Sequence, residues 1–368
     1  MPDRLRISFF VSSLVSAYWN GAATYYRGLG RALAARGHQL TFYEPDAYDR
    51  QRHRDIDDPS WARSVVWKPE VPGALESCLE AASHDDLVVK ASGLGVDDAR
   101  LEALLPELRR PGSRLAFWDV DAPATLDRCE RDPADPWRSR VERYDLVFTY
   151  GGGAPVVRRY LALGARACVP VYNALDPETH HPAPPDPRFA CDLAFLGNRL
   201  PDREARVEEF FLRAAALLPE KRFLLAGSGW GGKPMPPNVR DLGHLGTRDH
   251  NAFNCTPLAV LNVSRESMAT NGHSPATRVF EAAGAGGCLV TDAWEGLEAF
   301  LAPGEEVLVA RDGAEVADVV ATLDPVRARR IGDAGRRRVL AEHTYARRAE
   351  AVEVALGVKG RPDGKHAA

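Results

Sequence analysis

The 368-residue chain has only six cysteines, at positions 78, 129, 168, 191, 255 and 288, with no CxxC pair and no histidine at a metal-ligand spacing from any of them. That scatter excludes a disulfide framework and a zinc site, and it is the usage expected of reduced cytoplasmic thiols. No apolar run approaches the roughly 20 residues that a membrane helix needs, so no membrane span is expected. The amino terminus, MPDRLRISFFVSSLVSAYWNG, puts basic residues before an apolar run, but serines interrupt that run. It is expected to be a first buried strand with its loop, not a signal peptide. Charge of either sign is nearly balanced, with 47 Lys+Arg against 51 Asp+Glu and a net of -4, which argues against a general nucleic-acid binder. The arginines crowded between 327 and 338 have acidic neighbours and helical spacing, the pattern of a solvated face. Glycine-rich GSGWGGKP, Gly227 to Pro234, lacks the GKS or GKT ending of a Walker loop and is expected to be a flexible connection.

What is present is an ordinary globular composition, 45% apolar and 27% charged, in a chain long enough for two domains. Short apolar strands alternate with helical stretches through both halves, the pattern of βα units stacked into parallel sheets. Strands are expected near residues 6–11, 39–44, 86–91, 114–119 and 145–150, and again near 192–197, 222–227, 239–245, 258–263, 287–292 and 306–311. The proline-dense segment VPVYNALDPETHHPAPPDPRF can continue neither a helix nor a central strand. The expected organisation is a first α/β domain over 1–170, a linker over 171–187, a second α/β domain over 188–344, a closing helix over 345–357, and a disordered tail over 358–368.

The stretch NGHSPATRVFEAAGAGGCLVTD, Asn271 to Asp292, carries the most chemistry. Ser274 reads as an N-cap and Pro275 as the first helical residue, so the free amides of Ala276, Thr277 and Arg278 would leave the helix start and favour an anion. Two turns in, Glu281 offers two acceptor oxygens that match the vicinal hydroxyls of a ribose. Arg278 stands three residues before Glu281 on the same helix face, where it either pairs with that carboxylate or contacts phosphate. The loop after the strand near 192–197 holds Asn198, Arg199 and Arg203. Leaving a strand's carboxyl end, it is placed for guanidinium grip on phosphate, with Arg206 one turn on toward the surface.

Several blocks in order, FLGNRLPDREARVEEFF, RFLLAGSGW, the long segment from Leu258 to Asp292, GEEVLVARD and EHTYARRAEAVEVAL, resemble the carboxyl-terminal domain of GT-B glycosyltransferases, especially the CgeB-like group. The resemblance implies a GT-B fold of two Rossmann-like parallel-sheet domains facing a central cleft, with the last helix returning to the first domain. It implies a nucleotide diphosphate sugar as donor, UDP or dTDP favoured, with no cofactor and no metal. The acceptor stays open among a small molecule, a glycan and a protein. Family-four GT-B enzymes carry a related linker element, here Asn173, Ala174, Leu175, Asp176 and then His181 and Pro182, with Ala174 in place of glycine. They also carry two glutamates eight positions apart, the second binding ribose. Glu281 takes that second place, and His273 stands where the first would contact the donor sugar. It is either a donor to phosphate or sugar hydroxyl, or a loop histidine satisfied by backbone. The GHLG turn, with His244 and Leu245, occupies the place where related enzymes hold the base through main-chain atoms.

In the first half, SLVSAYWNGAATYYRG resembles the opening loop and helix of GT-B folds, in which Gly21 would let the loop approach donor phosphates. Tyr18, Trp19 and Asn20 belong to that loop, and aromatic faces suit sugars or flat acceptors. His38 reads as structural. Asp119 and Asp121 in FWDVDAP share a face if the chain stays extended; either would serve as general base, or both merely cap a turn. Lys90 with Ser92 and the glycines of TYGGGAP are further candidates. The same Asp-x-Asp spelling fits a metal-dependent glycosyltransferase of the other large fold. Within the GT-B fold a nucleotide-sugar epimerase or a phosphorylase is a further reading, though no lysine stands in a clear cofactor setting for the latter. A nucleotide-sugar-binding module without turnover is the remaining alternative.

Overall fold

The computed structural model describes residues 3–18 and 20–358. Trp19 and the tail beyond Val358 lie outside the described residues. The chain forms two compact units, one comprising the residues up to Tyr172 together with the segment from Tyr345, the other Asn173–Thr344.

The first unit is built on seven parallel strands: β1 (Arg6–Phe10), β2 (Gln39–Pro45), β3 (Arg63–Trp67), β4 (Leu87–Ala91), β5 (Arg114–Asp119), β6 (Leu146–Thr149) and β7 (Cys168–Pro170). Their order is β3-β2-β1-β4-β5-β6-β7. The central strands read as unbroken apolar runs, RISFF, LVVKA and RLAFWD, because helices cover both faces of a parallel sheet. The expectation of five strands omitted β3 and β7. Both lie at sheet edges, where half-exposed positions dilute the apolar signal. The helix Tyr345–Ala355 packs on the helix Ala23–Ala35. Gly28 makes the contact close: a Cβ there would stand 2.2 Å from the Tyr345 ring. His38 holds the same helix, its Nδ1 accepting from the Leu5 amide at 3.0 Å and its Nε2 facing Glu353 at 3.0 Å.

The second unit has six parallel strands: β8 (Leu193–Leu196), β9 (Phe223–Ala226), β10 (Val239–Asp241), β11 (Ala259–Asn262), β12 (Leu289–Asp292) and β13 (Leu308–Ala310). They are ordered β10-β9-β8-β11-β12-β13. Its core joins Phe195, Phe211, Phe223, Val290 and Ile331, all buried. Residues 171–186 contain no helix and no strand, but they are not a loose spacer. Leu175 is fully buried against Gly284 and bridges to Thr344, and Asn173 and Ala174 are buried beside it.

Candidate functional site

In the second unit the strand order reverses direction between β8 and β11, and loops leaving the carboxyl ends of strands at such a point form the usual ligand crevice of an open parallel sheet. The loop after β8 is fastened to the loop after β9. Asn198 accepts from the Ser228 amide at 2.9 Å, and the Arg199 amide donates to the Ser228 carbonyl at 2.9 Å. Gly227 permits this approach: its φ is +137° and a Cβ would lie 2.1 Å from the Gly197 carbonyl oxygen. Trp230 is buried and donates to that carbonyl at 2.8 Å, so GSGWGGKP is an anchored wall and not the expected flexible connection. Arg199 turns away to Glu204 at 2.6 Å, and Lys233 joins Glu204 at 2.6 Å, so neither cation is free for phosphate.

Arg203 behaves differently. Its Nε is sealed from solvent with no hydrogen-bond partner, and among the described residues no carboxylate lies within ion-pair distance. Burial pushes its pKa down, and the charges of Arg265 and Arg278 add to the effect. Arg278 is half-buried, with Nε and Nη1 sealed and lacking hydrogen-bond partners and Glu281 3.5 Å away. Arg265 is held by Asp202 at 2.5 Å. Two guanidiniums with unspent donors in one place make a site for an anion of more than one charge.

Glu281, on the helix Thr277–Gly284, is surrounded by basic side chains from three elements. Arg278 lies on its own helix, His180 on the 171–186 segment at 3.6 Å, and His250 on the helix His250–Cys255. Burial opposes its ionisation, but Arg278, His180 and His250 together outweigh that and hold the carboxyl below its ordinary range. Burial likewise keeps both imidazoles below the ordinary histidine range. His250 also faces the Leu245 carbonyl at 3.4 Å, and Gly243 accepts from the Gly227 amide at 2.7 Å, so the GHLG turn is tied to the same cluster. His244 is exposed and makes no part of these bonds.

Two expectations at the helix start are corrected. The helix begins at Thr277 with Ala276 as N-cap, extended at ψ 149°, and no side chain caps it. Ser274 and Pro275 therefore precede the helix. The Ala276 amide is not one of its first turn, while those of Thr277 and Arg278 are. Glu281 is accordingly one turn in, not two. His273 is held by backbone, its amide donating to the Glu295 carbonyl at 2.6 Å and its φ at 44°, with the ring lying on Gly296. The loop reading of this histidine describes its position better than a free donor aimed at phosphate.

Residues 203–353 match a family model described as Glycosyl transferase-like. The whole chain is similar in structure to sucrose-phosphate synthase from Thermosynechococcus elongatus, at 15% identity over 96% of this chain and 98% of that one, with a TM-score of 0.70. It is similar to HepE from Anabaena in complex with UDP-glucose, at 14% identity over 96% and 100%, TM-score 0.66. It is also similar to AviGT4, a glycosyltransferase involved in avilamycin A biosynthesis, at 18% identity over 95% and 96%, TM-score 0.61. The fold is GT-B. A search of curated proteins finds no match.

In the first unit of this GT-B chain most of the expected site residues serve the fold. Asp119 is fully buried at the end of β5, one oxygen accepting from Ser92 Oγ at 2.8 Å and from the Asp121 amide at 3.0 Å, the other from the Tyr160 hydroxyl. A carboxylate so occupied is no general base. Asp121 is exposed, because the helix Ala122–Arg131 starts immediately after it and the chain does not stay extended; the two aspartates do not share a face. Asp119→Ala is expected to destabilise the protein by about 3 kcal/mol by orphaning its buried donors, whereas Asp121→Ala leaves stability within about 0.5 kcal/mol. Chemical denaturation of the two variants separates these roles.

Lys90 is also corrected. It is buried between Asp98 at 2.6 Å and Glu102 at 2.9 Å, a closed ion cluster, and Ser92 is committed to Asp119. The glycines of TYGGGAP start the helix Gly153–Ala162, with Gly152 left-handed at φ 85°; a Cβ there would meet Val156 at 2.1 Å. A Cβ on Gly21 would meet nothing within 4 Å, so that loop face is open. Asn20 is spent inside its own loop, bonding Ser12, Ser13 and Ser16. Tyr18 is 41% exposed and stacks on His53 at 4.0 Å. Arg50, which the sequence did not single out, is buried and bonds the carbonyls of Ser12 and Leu94, clasping the loops after β1 and β4.

Arg206 is not a surface residue. It donates to Asp292 at 2.7 Å and to the Ser264 carbonyl at 3.1 Å, bracing the loop that follows β11.

Proposed function

We propose that the chain is a metal-independent glycosyltransferase that takes a sugar from a nucleoside diphosphate and passes it to an acceptor hydroxyl. The observation that carries this reading is the pair of half-buried guanidiniums, Arg203 and Arg278, with donors unspent at the strand-order reversal of the second sheet. A diphosphate satisfies both. In transfer, the bond from the anomeric carbon to the phosphate oxygen breaks with its electrons passing to that oxygen, and the acceptor oxygen forms the new bond as its proton leaves. The arginines and the amides of Thr277 and Arg278 would balance the charge that gathers on the departing diphosphate, the part a divalent cation plays in other transferases.

Glu281, kept ionised beside Arg278 and two imidazoles, would accept from the ribose hydroxyls, and the Leu245 carbonyl and neighbouring main chain would meet the base. The similarity to HepE, whose structure holds UDP-glucose, favours a uridine donor, and the blocks quoted for the CgeB-like group favour that branch. Asp-x-Asp metal chemistry is disfavoured because Asp119 would have to abandon Tyr160, Ser92 and a backbone amide to reach a cation. The exposed Asp121 is the remaining candidate for a base on the acceptor.

The test is thermal stability against UDP, dTDP, GDP, ADP and CDP, each with and without EDTA. A ligand at a hundred times its dissociation constant adds about 2.7 kcal/mol. A shift with one base, unchanged by EDTA, is the expected outcome; a shift that needs metal, or none at all, overturns the proposal. In the same assay Glu281→Ala should weaken nucleotide binding by about thirtyfold, the loss of roughly 2 kcal/mol of charge-assisted bonds, with the fold intact. Donor hydrolysis in the absence of acceptor separates a transferase from a binding module without turnover.

A further inference from the structure

His273 stands just before the helix that begins at Thr277, and the structure brings a carboxylate to it from the next loop. His273 has left-handed backbone at φ 44°, uncommon for a residue with a Cβ. It is held there by its amide, which donates to the Glu295 carbonyl at 2.6 Å, while its Nε2 stands 3.6 Å from Glu295 Oε1. Two glycines permit this meeting. Gly272, at φ +65°, has its missing Cβ 2.9 Å from the Glu295 Cβ, and Gly296, at φ +86°, has its own 2.0 Å from His273 Nδ1. Left-handed residues on both loops, with glycine on each side of the contact, are the kind of local strain that is retained where a side chain must be held in one place.

We infer that Glu295 supplies the carboxylate that recognises the hydroxyls of the donor sugar, with His273 as its positioning residue. The inference rests on the donor-site reading above. The two loops leave the carboxyl ends of β11 and β12, beside the helix start that holds Thr277 and Arg278. His273 is four positions before Thr277, so a hexosyl group on a diphosphate held at that helix start lies close to this pair. Glu295 is 78% exposed, and among the described residues its one charged partner is His273, so an oxygen remains to accept from neutral hydroxyls. The ligand class is a hexosyl nucleotide, distinguished from the bare nucleotide by contact with this carboxylate.

The experiment is calorimetric titration of the wild type, Glu295→Gln, His273→Ala and the double variant with UDP and with UDP-glucose, or with the matching pair for whichever base stabilises the protein. Glu295→Gln is expected to weaken the sugar nucleotide about tenfold and to leave the bare nucleotide within about twofold. His273→Ala should give the same selective loss, and the double variant no more than the larger single, because the two act as one unit. A change that falls equally on both ligands, or on neither, overturns the inference while the donor-site reading stands. A wild type that binds no nucleotide overturns both.

Discussion

Arg203→Met is expected to remove most nucleotide affinity while leaving the protein at least as stable as the wild type. The guanidinium is partly desolvated, its Nε sealed and unpaired, and Asp202 and Asp292 act on it only from a distance while Arg265 and Arg278 repel it. A charge in that position costs stability in the free protein, and replacing it with an apolar side chain of similar length is neutral or favourable. The same charge bound to diphosphate makes charge-assisted bonds worth about 1.5 to 3 kcal/mol each. Losing two of them weakens the nucleoside diphosphate by about a hundredfold or more. Thermal denaturation of the free variant, alongside nucleotide titration, checks both halves. A variant that loses stability and affinity together would make Arg203 part of the scaffold and sink the phosphate assignment.

Asp292→Ala should give the opposite signature. Asp292 is fully buried and accepts from Arg206 at 2.7 Å, from the Ser264 amide at 3.0 Å and from Ser264 Oγ at 3.1 Å. Its removal leaves Arg206 uncompensated and two donors unmet, a cost of about 3 to 5 kcal/mol. For a unit of this size that lowers the melting temperature by roughly 10 °C. Asp292→Asn keeps the shape and part of the bonding and should fall between. Since Ser264 opens the loop that leads to His273, saturating nucleotide should recover part of the lost stability in Asp292→Asn through mass action. An unchanged melting temperature in Asp292→Ala would show the network to be dispensable.

The two arginines three residues apart, Arg203 and Arg206, show where reading from sequence stops. Both follow the strand that opens the second domain, and spacing alone puts either toward phosphate. Which of them is spent on the scaffold depends on Asp292, 86 positions further on. The helix start is a similar case. Ser274-Pro275 is a sound local signal for an N-cap, but His273 is pinned left-handed by Glu295 and the chain stays extended to Ala276, which takes the N-cap place. Lys90 was legible in retrospect: Asp98 and Glu102 stand four apart on a helix, and one face of that helix was available to neutralise a lysine buried in a strand.

By itself the sequence determined the two parallel-sheet halves, every strand of the second sheet and the central strands of the first, because buried strands must be apolar on both faces and helices between them must be amphipathic. It also placed Glu281 and Arg278 on one helix face, since that follows from a period of 3.6 residues. Only the tertiary structure decided which polar groups are spent. Asp119, Lys90 and Arg199 are consumed by partners, Arg203 and Arg278 keep donors without partners, and His180 and His250 arrive at Glu281 from distant segments. The reason is physical: periodicity records burial, a property of each residue alone, whereas the availability of a charged group depends on which other group the fold brings within about 3 Å of it.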